Sequence, residues 1–115
     1  MSKNLDIIML YDFYHDMLTD KQAEVIDLYY NEDLSLAEIS EHLSITRQGV
    51  RDNIKRAENI LLELESKIGA LSRYQKQRSE VLKAKDISLK LLESTKGEVH
   101  SEIKKIYTLL CGIEE

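Results

Sequence analysis

The sequence predicts an all-α protein, and three observations carry that expectation. Its 115 residues contain no proline and only four glycines, three helix-capping signals follow one another in the first half, and a seven-residue apolar repeat runs from Val50 to Leu71. A chain so poor in both breakers sustains long helices and offers few hairpin turns. With 43% hydrophobic and 32% charged residues it has the balance of a folded globular protein rather than a disordered one.

The first helix is expected from about Leu5 to Leu18, where Ile8, Leu10 or Tyr11, Tyr14 and Leu18 recur near helical spacing. Thr19-Asp20-Lys21-Gln22 then has the form of a capping box, and Ala23, Val25, Ile26 and Tyr29 give the helix behind it an apolar side. Asn31-Glu32-Asp33 reads as a polar turn that closes it. A second capping box, Ser35-Leu36-Ala37-Glu38, opens a short helix with Leu36, Ile39 and Leu43 inward. Ser44-Ile45 is the connection, and Thr46 is the N-cap of the next helix. From there Val50, Ile54, Ala57, Leu61, Leu64, Ile68 and Leu71 step by four and three in turn, so this helix is expected to run on, as far as Ser72, with Gly69 weakening its end. A basic stretch over 73–90 has Leu82, Leu89 and Leu92 as its apolar line. Ser94-Thr95-Lys96-Gly97 is a break, and a last helix over about 98–111 shows Val99, Ile103, Ile106 and Leu110.

Two short helices, a tight turn and a long second helix make a helix-turn-helix over about residues 20–56. Ala37 is small where the helices approach, Ile45 fills the turn, and Val50 and Ile54 anchor the second helix. Arg47, Gln48, Arg51, Lys55 and Arg56 are left on or beside its outer face. These are the side chains that duplex readout uses: arginine pairs with guanine, glutamine with adenine, and lysine and arginine with phosphate. An exposed basic stripe is also an ordinary solvated face, and Asp52 sits within it. The expected division is a helix-turn-helix domain over 1–57 and a helical extension over 58–115.

Charge is segregated along the chain. Residues 1–45 carry −8, residues 46–56 carry +3, residues 57–72 carry −2, residues 73–90 carry +4 and the remainder −2, within a total of −5. An acidic protein is a poor nonspecific binder of polyanions, but two basic islands on one face would bind locally. The second island supplies Arg73, Lys76, Arg78, Lys83 and Lys85.

Catalysis finds no support. His15, His42 and His100 lack metal-ligand spacing, the glycines at 49, 69, 97 and 112 form no phosphate loop, and no nucleophile motif accompanies Asp12, His15 and Asp16. No metal or other cofactor is implied. Cys111, the single cysteine, forms no internal disulfide and reads as a small apolar residue. With no secretory signal or stretch suited to a membrane span, a cytoplasmic protein is expected. Five of the seven aromatics lie in the first thirty residues, at Tyr11, Phe13, Tyr14, Tyr29 and Tyr30, where core packing is a better account than base stacking.

Residues Leu18 to Ala57 resemble region four of bacterial sigma factors in their Leu-Thr start, Leu-Tyr-Tyr helix end, Glu-Ile pair and Val-Arg…Arg-Ala helix. A likeness over nearly the whole chain is to the YlxM-like family of small Gram-positive proteins. It rests on Asp12-Phe13-Tyr14, Leu18-Thr19, Lys21-Gln22, Leu28-Tyr29-Tyr30, Leu34 to Ile39, Arg47 to Val50 and Asp52 to Arg56, with Thr46 where that family leads one to expect serine. The core is therefore expected to be sigma region four-like. No counterpart of the other sigma regions accompanies it, so an autonomous sigma factor is not implied. The resemblance does imply an accessory or regulatory role in the signal recognition particle pathway, with the particle's RNA or its GTPase as partner. The residues alone slightly favour a DNA-binding transcriptional regulator. The heptad stripe from Val50 either pairs with a second copy or packs on the helices at 78–92 and 98–110, and a homodimer is expected because a long protruding helix leaves the chain little core of its own.

Overall fold

The computed structural model describes residues 3–113. Six α-helices succeed one another: α1 (Asp6–Tyr14), α2 (Asp20–Ile26), α3 (Leu36–Leu43), α4 (Arg47–Ile68), α5 (Ala70–Ser94) and α6 (Gly97–Ile113). No strand occurs among the described residues. The chain divides into two compact units, the first running through Leu71 and the second beginning at Ser72. The first unit thus takes in all of α4, past residue 57, because Leu61 and Leu71 belong to its core.

All three capping signals are in place. Thr19 and Ser35 each accept from the third backbone N–H of their helix while Gln22 and Glu38 reach back to the cap. Ser35 holds the Glu38 carboxyl below its ordinary value by donating its backbone N–H and fixing the side chain. The α1 helix is shorter than its apolar spacing suggests, ending at Tyr14 in a 3-10 turn over His15–Met17. Its inward side is Ile7, Leu10 and Tyr14, with Ile8 only partly buried.

Behind α2 the helix widens into a π turn over Asp27–Asn31. Tyr29 and Tyr30 are both buried within it, and their rings meet edge-on at 5.1 Å. Lys3 secures the end of this turn. Its Nζ donates to the Tyr29 carbonyl at 2.8 Å, pairs with Asp33 at 2.5 Å and lies 4.4 Å from the Tyr29 ring centroid. Tyr14, Tyr29 and Tyr30 are buried, whereas Phe13 is exposed and Tyr11 half-buried, so the aromatic cluster is chiefly core.

The inward part of the heptad stripe is covered within its own unit. Val50, Ile54, Ala57 and Leu61 are each 0% exposed, closed over by α1, α2 and α3 of the same unit. Farther along the stripe Ile68 is 37% exposed, whereas Leu71, beyond the end of α4, is buried. Gly69 then stops the helix outright in the left-handed region, at φ 66°, with its N–H bonded to the Glu65 carbonyl at 2.8 Å. A new helix, α5, starts at the next residue, and its first N–H groups are satisfied from the core. The Tyr14 hydroxyl donates to Glu65 Oε1 at 2.6 Å and accepts from the Ala70 N–H at 3.0 Å, and the same carboxylate accepts from the Leu71 N–H at 3.1 Å.

In the second unit the sides of the helices are not those that spacing suggested. On α5 Val81 and Ser88 are buried, while Leu82 and Leu89, one residue further on, are exposed and Leu92 is half-buried. On α6 Ile103 and Leu110 are half-buried but Val99 and Ile106 face out.

Two measurements test these contacts. Gly69→Ala should cost about 1 kcal/mol in urea unfolding, because a Cβ is strained at that φ. The Tyr30 hydroxyl is pushed far above its ordinary 10.0 by burial and by donating to Glu58. The unfolded chain therefore loses this proton first, so stability should fall as pH rises past about 10. Tyr30→Phe should reduce that alkaline loss; an equal decline in both proteins would contradict it.

Candidate nucleic-acid interface

The surface begins with a turn that holds α4 against α3. Ser44 caps α3 in the left-handed region at φ 58°, and the Ile45 N–H returns to the Ser40 carbonyl at 3.2 Å. The Ser40 hydroxyl donates to the Ile45 carbonyl. Ile45 is thereby turned inward beside Leu43, and Thr46 can cap α4 by accepting from the Gly49 N–H at 3.0 Å. A Cβ at position 49 would lie 3.2 Å from that threonine oxygen, so glycine suits the first turn.

With Val50, Ile54, Ala57 and Leu61 fixed inward, helical geometry dictates the opposite side. Gln48, Arg51, Asp52, Lys55 and Arg56 are exposed there and Arg47 flanks the start of the helix. All five residues expected from the sequence are therefore accessible on α4. Among the described residues no carboxylate forms an ion pair with Arg47, Arg51, Lys55 or Arg56. Asp52 is engaged differently: it accepts from Gln48 Nε2 at 3.0 Å. That bond orients the carboxamide, leaving its oxygen and one N–H free for the two-point contact glutamine makes with adenine. The i, i+4 placement of Gln48 and Asp52 was visible in the sequence, but it did not say which neighbour would engage the amide.

The second basic island is not one patch. At 3.6 residues per turn Arg73, Lys76 and Lys83 fall within about 80° of arc on α5, and Arg78 and Lys85 lie on another side. Lys85 is half-buried, its Nζ 5.9 Å from the Tyr107 ring centroid, and Arg78 borders a cavity with Tyr74, Gln77, Val81 and Ile113. Among the described residues no cluster of three or more His, Cys, Asp or Glu is arranged to hold a metal, and no helix is long and apolar enough to cross a membrane.

The N-cap is what presents the first turn of α4, so Thr46→Ala should lower stability by about 1 kcal/mol. Thr46→Ser should leave the denaturation midpoint nearly unchanged.

Comparison with known proteins agrees with this architecture. The family described as "UPF0122: Putative helix-turn-helix protein, YlxM / p13 like" matches residues 1–98. A UPF0122 protein of Acetivibrio thermocellus is 43% identical over 102 residues, covering 84% of this chain and 87% of that one. One from Bacillus thuringiensis is 41% identical over 106 residues and 92% of each chain, and one from Caldanaerobacter subterraneus is 48% identical over 82 residues, 71% of this chain and 70% of its own. With a helix-turn-helix formed by α3 and α4 and a match over most of its length, the chain belongs to the UPF0122 family of YlxM/p13-like helix-turn-helix proteins.

Proposed function

We propose that this protein binds nucleic acid through the outer side of α4 and serves as an accessory or regulatory factor of the signal recognition particle pathway. The observation that carries the binding half is the exposed, ion-pair-free set Arg47, Arg51, Lys55 and Arg56, with Gln48 pre-oriented among them. Resemblance to the YlxM-like family supports the pathway half. A DNA-binding transcriptional regulator is the second reading, favoured by the position of Gln48 and Arg51 in the first turns of α4, where base edges come within reach of a helix in the major groove. Self-association belongs to either reading, since a two-fold dimer doubles the contact surface.

Fluorescence anisotropy of the labelled protein, titrated with genomic DNA fragments and with the reconstituted GTPase–RNA particle, separates the two. Arg51→Ala should weaken binding about tenfold or more wherever α4 touches base edges, each such contact being worth ~1–3 kcal/mol. Asp52→Ala should raise affinity for any polyanion while reducing discrimination between sequences, because a negative charge and the clamp on Gln48 leave together. An adaptor that binds the particle through α5 should instead respond to Lys76→Ala with Lys83→Ala and tolerate Gln48→Ala. No binding to either nucleic acid near physiological salt would overturn the proposal.

A further inference from the structure

The second unit lacks a core of its own. Only Val81 and Ser88 are buried among its described residues, and one of these is polar. The α6 helix returns along α5: Tyr107 lies beside Lys85, and Ile113 borders the same cavity as Tyr74 and Val81. A two-helix hairpin of this kind seldom buries enough apolar surface to hold itself.

Its unburied apolar residues are ordered. On α6 the positions Val99, Glu102, Ile106, Leu109 and Ile113 are spaced by three and four, and the four apolar members are 58%, 52%, 72% and 57% exposed. A second set on the same helix, Ile103, Tyr107 and Leu110, is half-buried, so α6 carries two apolar sides. Ile87 and Leu91 of α5 are likewise exposed, at 58% and 45%. For antiparallel right-handed helices packed through Val81, Ser88, Ile103 and Tyr107, the helical rotation puts Ile87 and Leu91 on the same side of the hairpin as the open α6 stripe.

The geometry points to this face as the seat of a second copy of the chain, two hairpins closing into a four-helix bundle. The inference rests on the self-association proposed above and supplies its seam. The α4 stripe is unable to serve, being fully buried at Val50, Ile54, Ala57 and Leu61. Together the six exposed side chains present on the order of 600 Å² of apolar surface, at the upper end of what monomers leave open and close to the ~800 Å² per partner of a stable interface. A two-fold axis lays such a stripe on its own copy in an isologous contact. Glu102 is the one charge within the stripe, and it is already paired with Lys105 of the same helix at 3.0 Å.

Sedimentation equilibrium of the full chain, without nucleic acid and at micromolar concentration, tests this. The expected particle is twice the 13.3 kDa of one chain. Leu109→Glu should give the single-chain mass with unchanged helicity by circular dichroism, since the residue is on the surface. Leu109→Ala, which keeps helix propensity, should raise the dimer dissociation constant at least tenfold. Leu62→Glu, at an exposed position of α4, should leave the dimer intact. A wild-type monomer would overturn both the self-association and the seam. A dimer that survives Leu109→Glu would overturn the seam alone. Neither result depends on whether α4 binds nucleic acid.

Discussion

Every feature of the first unit can be traced to the inward side of α4. Val50, Ile54, Ala57 and Leu61 lose all contact with solvent because α1, α2 and α3 pack on them from different directions. Removing that much aliphatic surface from water is the largest favourable term available to a chain of this size. It requires the short helices to start and stop where they do. The two capping boxes and the Thr46 cap make those starts inexpensive, so local and tertiary preferences agree along the first half of the chain.

Fixing one side of a helix determines the other. Once the aliphatic stripe of α4 is inside, Gln48, Arg51 and Lys55 must point out, and the turn through Ser44 and Ile45 aligns their helix start. The acidic residues of the first 45 positions lie on α1 to α3 and the polar turns, leaving the basic island on α4 as a local field of opposite sign. Within that field the Gln48–Asp52 bond uses one amide donor and orients the carboxamide.

Polar chemistry governs where the unit ends. A helix that begins one residue after another stops has N–H groups with nothing to bond. Here the Tyr14 hydroxyl and the Glu65 carboxylate take that role for Ala70 and Leu71. Tyr14 thus serves twice, its ring in the core and its hydroxyl at the start of α5. The Tyr30 hydroxyl does comparable work, donating to Glu58 and accepting from the Asn4 N–H at 3.3 Å.

The sequence by itself determined the fold class, the three caps, the helix-turn-helix and the accessible side of α4, because hydrogen-bonded caps and apolar spacing are local properties that reach no further than a turn or two. Tertiary structure decided what those stripes touch. The repeat from Val50 to Leu71 has the spacing of a coiled-coil seam, yet three helices of its own unit occupy it, and spacing carries no information about which surface arrives first. The π turn over Asp27–Asn31, with Lys3 bonded to the Tyr29 carbonyl, likewise has no signature in the local spacing. On α5 and α6, where apolar residues occur on more than one side, sequence alone left the inward side ambiguous by one residue, a rotation of about 100°. Only packing chose Val81 and Ser88 over Leu82 and Leu89, since a helix with apolar residues on more than one side is oriented by what it is packed against and not by its own pattern.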